Sequence, residues 1–259
     1  MGIVLNAGAE AALLWGRGSE ELLYISANKT LATRRLPVPA ERLLAVAFDK
    51  GENLVWIDSG GHQGAQGRQP ASGESKLTFS TALLRLESAV WFDGKWFATS
   101  INRDSSASLW SLDGAPKERL RIYPEHKPLH PYVERAFVTT VHGALAVVSR
   151  YYPFRVIRLD STLAIRDTII FDMPAMDSSG SVRRNNAALF VLAALSDRRA
   201  INLSLSDPFS LRRVVLSNEA PPIEGNDGST PIARFLDGTT VSVEPVSRGQ
   251  LSLRFRKPQ

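Results

Sequence analysis

Short apolar runs recur along the whole chain and are separated by polar segments rich in glycine, aspartate and asparagine. Within these runs the hydrophobic positions follow the period of β-strands, and no segment keeps helical spacing over three turns or more. The pattern is clearest between residues 87 and 124, where it predicts four successive strands: Ala89–Phe92, Trp96–Ser100, Ser108–Leu112 and Arg119–Tyr123. The fold class predicted from this pattern is all-β.

The turns of this segment indicate that its four strands form one antiparallel meander. Asp93-Gly94 and Asp113-Gly114 have the composition of tight hairpin turns, and a polar loop at Asn102–Ser106 joins the middle strands. The first two strands are almost continuously apolar, as expected for burial on both faces. The fourth strand alternates between arginine and apolar residues, which is typical of an outer edge.

The same four-stranded unit recurs along the chain about every 40 to 50 residues, which is the period of a β-propeller blade. The predicted architecture is one propeller domain over 1–259, with blades near 1–38, 42–86, 87–124, 134–172, 181–217 and 231–256. In the second blade, Lys76–Ser80 and Leu83–Leu86 are the predicted third and fourth strands. The fifth blade is predicted to contain Val182–Arg184, Ala188–Ala194, Ala200–Ser204 and Leu211–Leu216.

The last repeat stops one strand short, after Leu251–Phe255. Propellers usually close their ring by pairing the two chain ends within one blade, and this sequence offers no spare N-terminal strand for that purpose. Two alternatives remain at this stage. Either the last blade has three strands, or the chain is part of a longer protein.

Three phrases show the repeat most plainly, namely FDGKW at 92–96, LWSLDGAPKERL at 109–120 and IRLDSTLAIRDT at 157–168. On this layout the chain resembles six-bladed β-propellers of the broad bacterial NHL-like and TolB-like group. The resemblance covers essentially the whole chain and is one of pattern, since no catalytic motif of a family accompanies it. It implies strands arranged radially, so that distant residues meet around a common axis.

In a propeller, the connections from second to third strand and from blade to blade emerge on one face, called upper here. The predicted turns on the opposite face are short, whereas the long connections, 59–75, 125–134, 173–181 and 217–231, all belong to the upper set. Long loops in a compact fold often carry function. We therefore expect binding on the upper face, with accumulation of insertions where packing is undemanding as the alternative explanation.

An arginine accompanies each predicted connection from second to third strand. Guanidinium groups gathered at the channel mouth would suit a carboxylate or phosphate, so the pattern predicts an anion site. Two adjacent tyrosines add aromatic contact area. The predicted ligand-binding residues are Arg17, Arg68, Arg103, Arg150, Arg198, Arg248, Tyr151 and Tyr152. The alternatives are that arginine is simply abundant in loops, that acidic neighbours such as Asp104 neutralise it, and that the tyrosines pack their own loop.

Charge and composition narrow the classes of partner. The net charge of +5 permits an anionic partner, while scarce lysine and the lack of a basic stripe argue against nucleic acid. No apolar run approaches the roughly 18 residues of a membrane span. The chain has no cysteine, which excludes disulfides, a thiol nucleophile and cysteine-bound zinc. It also slightly favours a periplasmic or secreted protein whose signal was removed, with a cytosolic protein as the alternative.

The sequence shows no recognisable catalytic motif, and no cofactor is assigned from it. His126 and His130 have the spacing of a zinc helix, but Pro128 between them excludes a regular helix. The sequence therefore predicts a non-catalytic propeller that binds a protein partner, an anionic small molecule or a glycan. The alternative is a metal-dependent hydrolase or lactonase with calcium in the central channel, for which the candidate ligands are Asp58, Asn102, Asp172 and Asp227.

Overall fold

All regular structure that is described in this protein is β-strand. The structure, a computed structural model, describes residues 2–5, 11–15, 20–26, 31–35, 42–49, 54–58, 65–69, 75–78, 86–104, 106–122, 136–150, 153–171, 190–196, 200–206, 213–220, 223–225, 229–235, 237–247 and 250–257. These residues contain no helix, so the all-β prediction is confirmed. In this described part, accordingly, nothing helical is long and apolar enough to cross a membrane.

The chain divides into two compact units, Met1–Thr140 and Val141–Gln259. The first unit contains three antiparallel sheets of four strands, each in chain order. Their strands are β1 (Gly2–Leu5), β2 (Ala11–Trp15), β3 (Glu21–Ser26), β4 (Leu31–Arg35), β5 (Leu43–Phe48), β6 (Leu54–Asp58), β7 (Ala65–Gln69), β8 (Ser75–Thr78), β9 (Leu86–Phe92), β10 (Lys95–Ile101), β11 (Ala107–Ser111) and β12 (Lys117–Ile122). The prediction of one domain over 1–259 stays a prediction.

The remaining strands form two four-stranded sheets, β13–β16 and β17–β20, and a three-stranded sheet, β21–β23. They are β13 (Ala136–Val141), β14 (Ala144–Ser149), β15 (Phe154–Leu159), β16 (Ile165–Phe171), β17 (Phe190–Ser196), β18 (Ile201–Ser206), β19 (Arg213–Ser217), β20 (Ile223–Gly225), β21 (Thr230–Arg234), β22 (Thr240–Ser247) and β23 (Gln250–Arg256). The described part of the last sheet has three strands, which both alternatives from the sequence expect.

The hairpin turns follow from residues that tolerate positive φ. Asp93 and Gly94 have φ of 46° and 77°, and His142 and Gly143 have φ of 49° and 69°. Positive φ at both central positions is the type I′ conformation, whose twist matches that of the flanking strands. The turns predicted at Asp93-Gly94 and His142-Gly143 are therefore confirmed.

Apolar clusters bury the second strands of the first-unit sheets between their neighbours. Every residue of β6 is buried, and the Trp56 side chain packs with Leu13 and Leu22 of the preceding sheet. Trp96 of β10 is 1% exposed and packs with Ile57 of the preceding sheet. Trp56 and Trp96 thus belong to the apolar core between neighbouring sheets.

Polar side chains of the sheet β9–β12 form hydrogen bonds with β13, the first strand of the following sheet. In the first unit, Thr99 Oγ1 donates to the Ala136 carbonyl oxygen (3.1 Å), and the Val138 N–H donates to Ser88 Oγ (2.9 Å). The two hydroxyl oxygens lie 2.7 Å apart. Because Thr99 has only one hydroxyl proton and gives it to Ala136, Ser88 is the donor between them.

The second sheet differs from its prediction. Its third and fourth strands are β7 and β8, rather than Lys76–Ser80 and Leu83–Leu86. The sequence of β7, AQGRQ, lacks apolar alternation, so hydrophobic periodicity does not identify it. Its backbone nevertheless pairs with the buried strand β6 along its whole length, from Leu54 opposite Gln69 to Asp58 opposite Ala65. The prediction of Lys76–Ser80 as the third strand was therefore wrong, because this segment overlaps the fourth strand β8, while residues 83–85 of the predicted Leu83–Leu86 lie outside the described residues.

In the described part of the chain, the fifth sheet runs in the order β17-β18-β19-β20. Its first described strand, β17, overlaps the predicted second strand Ala188–Ala194, and its last, β20, lies within the predicted connection 217–231. The predicted Val182–Arg184 lies outside the described residues. Two contacts fix this order within the second unit. Val191 at the start of β17 bonds Arg150 at the end of β14, and Ser196 at the end of β17 bonds the His142 turn.

Candidate functional site

The connection between β10 and β11 is a short polar turn at the upper end of its sheet, meaning the end where the first strand begins and the second ends. The Asn102 N–H donates to the Ser106 carbonyl oxygen (2.8 Å) and closes the turn. The Asn102 side-chain amide donates to Ser106 Oγ (2.8 Å) and to Ser108 Oγ (2.7 Å). One asparagine therefore joins the end of β10 to the start of β11.

Asp104 adds two hydrogen bonds within this turn. Its Oδ1 accepts hydrogen bonds from the Ser106 N–H (3.0 Å) and the Ser106 hydroxyl (2.6 Å). An aspartate that accepts from the backbone two residues ahead forms an Asx turn. The Ser106 hydrogen bonds, together with the Arg121 guanidinium, lower the pKa of the Asp104 carboxyl, so it is ionised at neutral pH.

A second acid and an arginine on β12 extend the same set of contacts. Ser108 Oγ donates to Glu118 Oε1 (2.7 Å), and Arg121 donates to both Glu118 oxygens (2.7 and 3.0 Å). The hydrogen bond from Arg121 is the main cause of the lowered pKa of Glu118. A further nitrogen of Arg121, Nη1, lies 3.9 Å from Asp104 Oδ2.

A β-bulge makes this arrangement possible. Residues three apart on a regular strand point to opposite faces. In β12, however, Leu120 pairs with Leu109 while Glu118 pairs with Trp110, which leaves Arg119 as the extra residue. The bulge therefore puts Glu118 and Arg121 on one face, beside Ser108.

Arg103 lies in the middle of this turn and is exposed. Within the described part of the chain, its guanidinium has no hydrogen bond and no ion pair. The neighbouring carboxylate of Asp104 is engaged by Ser106 and faces Arg121 instead. The turn thus presents one arginine to solvent, and no described residue uses its side-chain donors.

Arg150 occupies the equivalent place after β14 and is used differently. Its side chain is half-buried, and Nη1 donates to the Val191 carbonyl oxygen (2.7 Å). The Val191 N–H donates in return to the Arg150 carbonyl oxygen (2.8 Å). Arg150 therefore holds the first strand of the next sheet, β17, through both its side chain and its backbone.

The other predicted arginines differ in their position relative to the strands of their sheets. Arg68 belongs to strand β7, near the end that leads to β8, and not to the preceding connection. The segment 197–199, which includes Arg198, connects the first and second strands of its sheet, so it does not follow a second strand as predicted. Arg17 and Arg248 follow second strands in sequence, β2 and β22. The side chains of Arg17, Arg68, Arg198, Arg248, Tyr151 and Tyr152 lie outside what the structure describes.

Two of the four proposed calcium ligands, Asn102 and Asp58, lie in the described part of the chain. Asn102 donates its amide protons to Ser106 and Ser108, and these bonds do not use Oδ1, the atom that would bind calcium. Asp58 is buried and pairs with Arg42, whose Nη2 lies 2.5 Å from Oδ2. Asp172 and Asp227 lie outside the described residues. In the part of the chain that the structure describes, no three histidine, aspartate or glutamate side chains are grouped as metal ligands.

Sequence reasoning missed the part played by Glu118, Arg121 and Ser108. It also treated Asp104 only as a charge that opposes Arg103. The Asp-Ser-Ser sequence after Arg103 carries a recognisable Asx-turn signal, so the local contact of Asp104 was open to prediction. The bulge in β12 has no such local signal.

The architecture is shared with solved structures of known proteins. The β-propeller domain of Cps50 (Swd1) from Myceliophteria thermophila matches with a TM-score of 0.54 at 8% identity, covering 97% of this chain and 95% of that one. The chain has a β-propeller fold. A luciferin-regenerating enzyme also matches, with a TM-score of 0.54 at 9% identity and coverage of 94% and 82%.

A virginiamycin B lyase from Staphylococcus aureus, crystallised with quinupristin, is similar as well. Its TM-score is 0.52 at 12% identity, with 93% of this chain and 75% of the lyase covered. Identities this low establish the fold alone, and this confirms the propeller resemblance seen in the sequence. No protein-family model matches the sequence, and no curated protein matches it either.

Proposed function

We propose that this protein is a non-catalytic β-propeller that binds an anionic ligand, or an anionic group of a partner protein, at its upper-end connections. Arg103 is the contact residue that the proposal rests on most directly. The observation that carries it is an exposed guanidinium, without a described partner, in a turn where the side chains of Asn102, Asp104 and Ser106 are hydrogen-bonded. The count of six blades remains part of the proposal.

The chemistry of the turn supports an anion. An arginine guanidinium presents donors in a planar fork that matches carboxylate and phosphate groups. The nearest acid, Asp104, directs one oxygen to Ser106 and the other toward Arg121. The basic net charge of +5 adds a favourable long-range field for an anionic partner.

The arrangement also favours recognition over reaction. The polar groups around Arg103 are bonded to one another, so the connection offers a ligand charge and hydrogen-bond donors in a fixed place. Rigid scaffolds that carry polar loops commonly serve binding. Arg17 and Arg248 remain candidate contacts of the same class, because each follows the second strand of its sheet, whereas Arg150 donates to the Val191 carbonyl oxygen.

The test compares Arg103→Ala with Arg166→Ala, using calorimetric titration with tripolyphosphate as the anionic probe. Arg166 is a matched control, since its side chain is 62% exposed on β16 and each change removes one positive charge. We expect Arg103→Ala to weaken probe binding about tenfold, the loss of one charged hydrogen-bonding group. Arg166→Ala should change it less than about twofold, and both variants should unfold within about 0.5 kcal/mol of the wild type.

Equal weakening by the two variants would show general charge attraction and would contradict a site at Arg103. Unchanged binding in Arg103→Ala would contradict it directly. The hydrolase alternative makes its own prediction, because lactone hydrolysis that depends on added calcium would replace the binding proposal with an enzymatic one.

A further inference from the structure

We propose that Asp104 is a positioning residue for the anion contact of Arg103, although it carries the same sign of charge as the ligand. The inference rests on the proposed function and deepens it, because it assigns the orientation of Arg103 to the acid beside it. Asp104 does not touch the ligand in this proposal. It acts by holding the turn from which Arg103 projects.

The contacts around Arg103 form a closed circuit. Asn102 donates to Ser106 and to Ser108, and Ser106 donates to Asp104. Ser108 donates to Glu118, which accepts from Arg121, and Arg121 returns to within 3.9 Å of Asp104. The circuit joins the end of β10, the start of β11 and the outer strand β12. Arg103 is flanked by two of its members, Asn102 and Asp104.

Hydrogen bonding explains why the circuit leaves Arg103 available. Asp104 and Glu118 contribute two negative charges, and Arg121 contributes one positive charge within 3.9 Å of both. Both carboxylates accept hydrogen bonds from serine hydroxyls or from Arg121, so neither has to recruit Arg103. With Arg121 absent, Arg103 would be the nearest alternative cation in the turn.

Fixing the backbone on both sides of Arg103 lowers the cost of binding. A mobile turn must lose conformational freedom when it binds a ligand, and a preorganised turn has already lost it. The closed circuit confines the backbone of Arg103, and only its side-chain rotamers remain to be ordered. Asp104 thus strengthens anion binding by holding the turn, although its negative charge by itself would weaken that binding.

This opposition of sign gives a decisive experiment. By Coulomb's law alone, removal of a negative charge beside Arg103 strengthens the binding of an anion. If Asp104 positions the turn, its removal weakens binding. We expect Asp104→Ala to weaken tripolyphosphate binding about fivefold and to accelerate amide hydrogen exchange of Ser106, whose N–H donates to Asp104.

Asp160→Ala is the matched control. Asp160 is an exposed turn aspartate that accepts from the Thr162 N–H (2.8 Å), the Thr162 hydroxyl (2.7 Å) and the Ala164 N–H (3.1 Å), but it lies between β15 and β16. Its removal loosens a comparable turn and deletes the same charge. We expect unchanged or slightly tighter binding of tripolyphosphate in this variant.

Ser106→Ala supplies a second, charge-neutral variant. It deletes the hydroxyl that donates to Asp104 and accepts from Asn102. Positioning predicts about threefold weaker binding of the probe, whereas electrostatics alone predicts no change. Tighter binding in Asp104→Ala, or wild-type binding in Ser106→Ala, overturns the inference. If Arg103→Ala still weakens binding in that case, the proposed function stands without it, and if Arg103→Ala has no effect, the proposed function itself fails.

Discussion

Arg103 and Arg150 occupy the same place in the repeat but have different roles. Each follows the second strand of its sheet, after β10 and β14 respectively. Arg103 projects from a turn that closes on itself through Asn102 and Asp104. Arg150 is half-buried and gives a hydrogen bond to the carbonyl of Val191 in the next sheet.

The difference shows that the position in a repeat determines the path of the backbone. The sheet edge beside that position determines which hydrogen bonds the side chain forms. The first strand of a sheet has one edge without strand partners, and its buried N–H and C=O groups require partners. Arg150 supplies them for β17. Ser88 and Thr99 supply them for β13, so Arg103 is not required for that purpose.

The largest effect is expected from Arg150→Ala. The substitution removes the hydrogen bond to Val191 and leaves a carbonyl without that donor, at a cost of about 2 kcal/mol of unfolding free energy. Urea unfolding of this variant beside Arg103→Ala measures the contrast. Equal stability of the two variants would break the comparison, because Arg150 would then be no more structural than Arg103.

A smaller effect is expected from Thr99→Val, which keeps the shape of a residue that is 1% exposed but deletes its hydroxyl. The Ala136 carbonyl and the Ser88 hydroxyl lose a partner, and the cost is about 1 kcal/mol. Thr168→Val on the exposed strand β16 is the control and should stay within about 0.5 kcal/mol. If Thr99→Val leaves the unfolding free energy unchanged, the hydroxyl contacts to β13 do not have the role that Arg150 has for β17.

The smallest effect is expected from a change of pH. It distinguishes the connection that contains Asp104 from the one that contains Arg150, because only the first involves a carboxylate. Hydrogen bonds from Ser106 hold the pKa of Asp104 below its unfolded value of about 3.9. A depressed pKa means that the contribution of Asp104 is present above that value and is lost as pH falls through the folded-state pKa. The Arg150 contact has a carbonyl acceptor and contains no carboxylate.

We therefore expect the Ser106 amide chemical shift to titrate with a midpoint below 3.9, and the titration to vanish in Asp104→Asn. The Val191 amide should not follow this titration. A midpoint at or above the unfolded value would mean that Asp104 is not held as its contacts to Ser106 indicate.

Much of the strand layout could be predicted from the sequence, because hydrophobic periodicity and turn residues are local. Strands β13 and β16 lie within the predicted blade 134–172, and the Asp93-Gly94 turn has the expected positive φ. The polar strand β7 could not be found in this way, since it is held by backbone pairing with β6. The order of the fifth sheet likewise depends on contacts between Arg150 and β17, which are distant in sequence.

By itself the sequence determined an all-β repeat, the position of Arg103 in a polar turn and the Asx signal of Asp104, since alternation, turn composition and side-chain-to-backbone bonding act over a few residues. The tertiary structure alone decided that, among the described residues, Arg150 and not Arg103 holds a neighbouring strand. That choice depends on the bulge that brings Glu118 and Arg121 to one face and on which sheet edge lies beside each connection. Both are properties of strand pairing and packing between distant segments, and no local pattern encodes them.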